Sequence, residues 1–330
     1  MVISRTPFRI SFFGGGTDYP VWYKENGGAV LSSTIDKYCY ISLRYLPPFF
    51  KHKHRIVYSF IENVKSVGEI KHPAVKAILS YMHIGKGLEI HHDGDLPARS
   101  GIASSSAFTV GMLNAFYALK GNMISKAELA KRSIHVERDI LKENVGSQDQ
   151  VAVAYGGLNR IIFHNDNSFR VEPVTITKTR VKELESHLML IFTGISRYAS
   201  KIAVSQIRDT QSKKKELVAI REMVNHAIEI LNSNRKITEF GKLLHDAWQL
   251  KKGLSKKVSN PTIDDVYAEA LRFGARGGKI LGAGGGGFML LFVPPEKRGK
   301  LKQRLHKFIE VKFTFENSGS QIIYYNPQEV

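Results

Sequence analysis

The chain has 330 residues, 43% of them hydrophobic, which suits two domains of moderate size with substantial cores. Lys and Arg outnumber Asp and Glu by 48 to 30, and a formal charge of +18 favours anionic partners (nucleotides, sugar phosphates, nucleic acid, anionic membrane) without choosing among them. A single cysteine, Cys39, excludes an internal disulfide framework and a multi-cysteine zinc site. No apolar run reaches the ~18 residues of a transmembrane helix, and the opening apolar stretch is too interrupted for a secretory leader. The chain therefore reads as cytoplasmic.

Residues 3–13 read as a strand running into Gly14-Gly15-Gly16-Thr17-Asp18-Tyr19, where glycines permit close backbone approach beside a hydroxyl and a carboxylate. A flexible hairpin turn is the plainer reading of that bend. Stretches 28–46 and 54–61, rich in Val, Ile, Tyr and Ser, read as strands separated by a Pro-Pro loop. After a short strand at 88–92 comes Pro97-Ala98-Arg99-Ser100-Gly101-Ile102-Ala103-Ser104-Ser105-Ser106, and then an apolar helix to about Lys120. Serine is a favoured N-cap, and a helix N-terminus offers unpaired N–H groups and a positive dipole end. The turn is either an ordinary capped helix start or a cradle for nucleotide phosphates, its hydroxyls facing a phosphate-bound magnesium.

A second helix, about 126–142, carries Ala130, Ile134, Glu137 and Leu141 on one face. A carboxylate in an apolar stripe needs a cation or hydrogen-bond donors, supplied by a neighbouring Arg or Lys or by a metal. Asp149 follows in Gly146-Ser147-Gln148-Asp149-Gln150, where it is either a turn carboxylate or a functional one. Strands at 158–164 and 169–176 close a first domain, 1–182, with the polar stretch 177–186 as its boundary. The second domain, 183–330, reads as a strand at 188–193, helices at 199–211, 214–232, 236–253 and 263–274, a glycine hairpin at 277–293, a helix at 296–308, and strands at 310–315 and 320–325. That order suggests helices on an antiparallel sheet, and the whole is an α+β protein.

Gly282, Gly284 and Gly287 satisfy the spacing of the dinucleotide fingerprint, but a strand rather than a helix follows them, so the Rossmann reading fails on context. No Walker P-loop and no protein-kinase motif set occurs. His91 and His92 are adjacent on a strand, point to opposite faces and cannot easily share one ion.

Three motifs in order carry a resemblance: Pro7 to Tyr19, Pro97 to Ala107, and Ile280 to Gly287. Together they resemble the GHMP small-molecule kinases, and the Gly-Gly-Gly-Thr-Asp form is similar to the branch acting on D-glycero-D-manno-heptose 7-phosphate. L-fucokinase domains are also similar, which leaves an L-fucose or galactose-type 1-kinase as the alternative. The resemblance implies a first domain like domain 2 of ribosomal protein S5 and a ferredoxin-like second domain. It implies ATP over Pro97, Ser100, Gly101, Ala103, Ser104, Ser105 and Ser106, with Mg2+ held by Ser105 and Glu137. Asp149 would be the catalytic aspartate with Arg9 beside it and the γ-phosphate. Gly16, Thr17, Asp18, Gly284 and Gly285 would bind the sugar. Arg197 is the first candidate for gripping a substrate phosphate, with Lys37 and Arg99 behind it. Arg99 departs from the glycine many relatives carry. The implied partners are a sugar or sugar phosphate and ATP, with no nucleic acid or membrane, in a monomer or homodimer. An RNA-binding module is the reading from a different class. It would rest on the basic balance and the Tyr38–Tyr45 alternation, and it leaves Asp18, Glu137 and Asp149 without a role.

Overall fold

The computed structural model describes residues 1–195 and 199–327. The chain begins with β1 (Val2–Phe13), α1 (Pro20–Asn26), the long β2 (Gly28–Tyr45), β3 (His54–Val57), β4 (Ile61–Val64), α2 (Pro73–Tyr81) and β5 (Leu88–Gly94). Three helices, α3 (Ser104–Leu119), α4 (Lys126–Ile134) and α5 (Gln148–Tyr155), then precede β6 (Leu158–Phe163) and β7 (Phe169–Pro173). The 18 residues of β2 organise this half. One edge pairs with β1 from Val2–Leu43 to Phe13–Leu31. The other edge is long enough to pair first with β6 (Gly28–Ser33) and then with β5 (Cys39–Tyr45). The Tyr38–Tyr45 alternation thus lies in a central strand flanked on both sides.

Helix α3 is buried nearly all round, because it lies between β1 and β2 on one side and α4 and α5 on the other. Gly111 permits the close approach: a Cβ there would stand 2.8 Å from Thr6 Oγ1. This helix presents the serine turn at its first residue.

The second half comprises α6 (Lys178–His187), β8 (Leu188–Phe192), α7 (Ala199–Asp209), α8 (Lys214–Asn232), α9 (Thr238–Leu254), α10 (Pro261–Arg272), β9 (Gly277–Ile280), β10 (Phe288–Phe292), α11 (Pro295–Arg304) and β11 (Ile309–Val311). Its sheet order is β11-β8-β10-β9, antiparallel throughout, which is the ferredoxin-like arrangement. The unbroken apolar runs of β8 and β10 follow from burial on both faces. Leu188, Leu190, Leu290 and Phe292 join the large core shared with the first sheet, whereas Met189, Ile191, Met289 and Leu291 face a second cluster around Trp248 and Tyr267.

The boundary stretch 177–186 is mostly the helix α6, capped by the Thr177 side chain and anchored by buried Leu184. One expectation is corrected. The end of the chain does not stay with the second sheet. Strand β12 (Phe315–Glu316) pairs with β2, and β13 (Gln321–Tyr325) pairs with β1, Val2 opposite Tyr325. Residues 183–330 are therefore not one continuous unit. No helix among the described residues is long and apolar enough to cross a membrane.

Candidate active site

Three alternate residues of the serine turn, Arg99, Gly101 and Ala103, take left-handed φ angles of 59°, 86° and 65°. The serines do not cap the helix as expected. Ser100 Oγ donates to Pro97 O at 2.6 Å, and Ser104 Oγ accepts from Arg99 N–H at 3.1 Å. The cap position is Ala103, with no side-chain partner for the first-turn N–H groups. A 16-residue helix thus opens with its donors undressed, as an anion site requires.

Arg9 of β1 ties this turn to Asp149. Its backbone N–H donates to Ile102 O at 3.1 Å, and its guanidinium donates to Gly101 O at 2.7 Å and to Asp149 Oδ1 at 2.9 Å. Arg9 is 1% exposed and the Asp149 side chain 27%, so the arginine is fixed and the carboxylate reaches open space. Asp149 lies in the first turn of α5, where the helix dipole favours its negative charge.

Asp18 is buried beside them. Its carboxylate accepts from Gly16 N–H at 2.9 Å and from Gln148 N–H at 3.3 Å, while Ser147 N–H donates to its carbonyl. Burial pushes its carboxyl above the ordinary range, the Gly16 N–H draws it down, and the nearby Asp149 charge pushes it up again. A Cβ on Gly146 would stand 1.8 Å from Asp18 Oδ2. Gly146→Ala is therefore expected to dislodge Asp18, costing ~1–3 kcal/mol as overpacking does. Thermal melting should fall by a few degrees.

Thr17 is corrected. It is fully buried, and its hydroxyl donates to Gly14 O and Ala29 O and accepts from Ala29 N–H, so it staples the bend rather than facing a ligand. Gly14 is the position where only glycine serves: its φ is 85°, and a Cβ would fall 1.9 Å from Ala29 O.

Glu137 is 1% exposed and does not sit on a regular helix. The expected continuous helix opens into a wider π turn at His135–Ile140, a feature often found where a side chain is re-aimed for function. Oε2 accepts from Ser106 Oγ at 2.9 Å and from Gln150 Nε2, whereas Oε1 is buried without a partner. Burial pushes its carboxyl up to about 7, against the pull of donors on Thr109, Gln150 and Ser106. The serine bonded to Glu137 is thus Ser106, one residue beyond the expected Ser105, which is exposed on the next face of the helix.

The glycine hairpin supports the serine turn. Phe288 N–H donates to Ser100 O at 3.0 Å, and a Cβ on Gly282 would stand 2.8 Å from Gly101 Cα. A Cβ on Gly284 would meet Val258, and Gly285 N–H donates to Val258 O at 2.7 Å, so the Gly285 amide is turned toward protein at this point. Lys251 of α9 holds the carbonyls of Ile280 and Gly282 from below. Arg197 lies outside the described residues. Lys37 donates to Asp36 at 3.1 Å, and Arg99 is exposed on the turn itself.

Two buried residues have no counterpart among the expected site residues. Gln150 is the amide on Glu137; its position directly after Asp149, one step round the helix, was the available signal. Lys279 is 5% exposed in β9, and its Nζ donates across the sheets to Phe12 O at 2.8 Å. A lone lysine in the strand Gly277–Ile280, otherwise glycine and isoleucine, marks it in the sequence.

Comparison with known proteins agrees with this geometry. Residues 69–157 match the model for the GHMP kinases N terminal domain, and residues 226–311 match that for GHMP kinases C terminal. The D-glycero-alpha-D-manno-heptose 7-phosphate kinase of Campylobacter jejuni is 30% identical over 321 residues, 92% of this chain and 93% of that one. The galactokinase of Pyrococcus furiosus is 24% identical, covering 94% of each chain. A crystal structure of a D-glycero-D-manno-heptose 1-phosphate kinase from Bacteroides thetaiotaomicron superposes with a TM-score of 0.80, 23% identity and coverage of 98% and 99%. Full-length similarity at that level, together with family matches in both halves, means that this protein belongs to the GHMP kinase family and is a phosphotransferase acting on an alcohol group.

Proposed function

We propose that the protein transfers the γ-phosphoryl group of ATP to the anomeric hydroxyl of a sugar phosphate, D-glycero-D-manno-heptose 7-phosphate foremost, giving the 1,7-bisphosphate. The observation that carries this reading is the Arg9–Asp149 ion pair fastened to Gly101, which puts a carboxylate and a guanidinium beside an uncapped helix N-terminus. Phosphoryl transfer is mostly positioning and charge stabilisation. The N–H groups of Ser104, Ser105 and Ser106 receive the β- and γ-phosphates, and Arg9 neutralises charge gathering on the transferred group. Asp149 accepts the hydroxyl proton as the sugar oxygen bonds to phosphorus; the bond between phosphorus and the β–γ bridging oxygen breaks, and ADP leaves. An anomeric hydroxyl is more acidic than an ordinary alcohol, so a carboxylate suffices. Asp18 accepts from sugar hydroxyls, and Gly15 and Gly16, lacking side chains, leave room for them.

The residues fit a magnesium ion shared with the nucleotide. The unpartnered Oε1 of Glu137 awaits a cation, and no group of three His, Cys, Asp or Glu among the described residues could hold one alone. Glu137 would hold it, together with Ser106, the serine of the turn that is bonded to it. When bound it would screen the phosphate charge.

The heptose preference rests on the Campylobacter relative and on the basic balance, which suits a substrate already carrying phosphate. The test is a panel of sugars and sugar phosphates with Mg-ATP, read by ADP release, with the new phosphate located by 31P NMR. Heptose 7-phosphate is expected to give the highest kcat/KM, with the product phosphate on the anomeric oxygen. Preference for free L-fucose or galactose would replace the substrate, and turnover of mevalonate alone would discard the sugar reading.

A further inference from the structure

A cavity of about 160 Å3 opens between α4, with its π turn, and the loop joining β6 to β7. Its polar lining is Tyr23, Lys131, His135, Arg138, Ser147 and Asn167, and no carboxylate is among the lining residues. The three basic residues, spaced by four and then three positions, reach it from one side of the helix. Asp139 takes part of that charge, accepting from His135 Nδ1 at 2.9 Å and from Arg138 Nε at 3.2 Å. Lys131 has no ion pair among the described residues. Two of the lining hydroxyls are sealed in: Tyr23 and Ser147 are each 2% exposed. Arg138 Nη1 donates to Tyr23 Oη at 3.1 Å, and Tyr23 Oη meets Ser147 Oγ at 3.3 Å, a long bond with no other partner for that serine hydroxyl among the described residues. Stacking on Phe163 fixes the Tyr23 ring. The chain of contacts ends at the acceptor bend, because Ser147 N–H donates to Asp18 O at 3.0 Å.

Unbalanced cations converging with hydroxyl and amide groups recognise a tetrahedral oxyanion through charge-assisted hydrogen bonds. The volume is well below the ~300–1,000 Å3 of sites for drug-sized ligands, so a nucleotide is too large and a phosphate group fits. We propose that this cavity binds the phosphate group of a small anion, inorganic phosphate or a phosphomonoester, apart from the catalytic residues, and that its occupant weakens acceptor binding by drawing Arg138 off the Tyr23 hydroxyl and so loosening the Ser147–Asp18 contact. The effect on the acceptor rests on the reading of Asp18 as an acceptor-binding residue; the binding itself does not.

The experiment uses the full chain saturated with Mg-AMP-PNP, so that the nucleotide site is filled, and titrates it with inorganic phosphate and with glycerol 3-phosphate by calorimetry. Saturable binding is expected, and the probe with the lower Kd identifies the occupant. Lys131→Glu and Arg138→Met should each raise that Kd about tenfold or more, the scale of a lost charge-assisted bond. Lys131 is exposed and makes no ion pair, so Lys131→Glu is the variant that keeps the fold if Arg138→Met does not. The 15N amide resonances of Ser147 and Asn167 should move with the titration in wild type and stay still in Lys131→Glu. In turnover assays a saturating concentration of the better probe should raise the acceptor KM about fivefold or more in wild type, and leave it unchanged in Lys131→Glu, whose kinetics without the probe should match wild type. Absence of saturable binding, a Kd unchanged in Lys131→Glu, an unmoved acceptor KM in wild type, or an equal rise in Lys131→Glu (the probe acting in the catalytic cleft) overturns the proposal. If wild type phosphorylates no sugar, the sugar reading falls, and the calorimetry and amide shifts still decide whether the cavity binds phosphate.

Discussion

Asp149→Asn is expected to lower kcat by about two to four orders of magnitude, the range that general acid–base groups contribute, while ATP affinity measured by calorimetry is kept. The substitution is nearly isosteric. Arg9 keeps its bonds to Gly101 O and, through its N–H, to Ile102 O, so the phosphate turn stays in place. What is lost is the charge that takes the proton and the partner of a guanidinium that is 1% exposed. Removing one member of a buried pair costs ~3–5 kcal/mol, but Asp149 is partly open and Asn still offers an oxygen. A melting temperature lowered by only a few degrees is therefore expected. Turnover near that of wild type would remove Asp149 from the mechanism; loss of ATP binding would mean that the carboxylate serves the turn instead.

The sequence made the meeting of distant segments legible because each carries residues whose chemistry is poorly explained by local structure alone. Glycines at 14, 101 and 282 are demanded by backbone contacts that only tertiary structure supplies: Ala29 behind Gly14, and Gly101 against Gly282. Their order along the chain, read with Arg9 and Asp149, sufficed to anticipate that these segments touch. What was not legible concerns the direction of small side chains. Thr17 and Asp18 are neighbours of equal promise, and the partner behind Thr17 is Ala29 of β2, which local spacing does not reveal. Ser105 and Ser106 differ by one step on a helix, and the choice between them depends on a π turn that re-aims Glu137. Periodicity assumes a regular helix and so misses that shift. The return of β13 to β1 was hidden for a related reason: an alternating strand announces a half-buried face but not the sheet that receives it. The burial of Lys279 is not legible from the sequence, because a lysine among glycines is more often exposed at a turn than sealed between two sheets.

Glu137→Gln is expected to reverse its effect on stability according to whether magnesium and nucleotide are present. Glu137 is enclosed, and its carboxyl is raised from an ordinary value near 4.5 to about 7. Below the unfolded value both states are protonated and burial of the group carries no ionic penalty. As pH rises from there through about 7, the unfolded chain releases its proton first, and the folded state loses stability across that window. The difference of about 2.5 units corresponds to about 3 kcal/mol at most once both states are ionised. At pH 8, free of divalent cation, Glu137→Gln should therefore melt above wild type, since a neutral amide oxygen can still accept from Ser106 and Gln150. At pH 4.5 that advantage should vanish. Adding Mg-ATP reverses the order. A ligand that binds the folded state at 100 times its Kd stabilises by about 2.7 kcal/mol, and the variant, deprived of the anionic oxygen at Oε1, should forfeit most of that gain together with most of its kcat/KM for Mg-ATP. Differential scanning fluorimetry at both pH values, with and without Mg-ATP, reads all four conditions. A variant that melts below wild type at pH 8 without cation would mean that Glu137 is held by its donors alone, and an equal Mg-ATP shift in both proteins would take the cation away from Glu137.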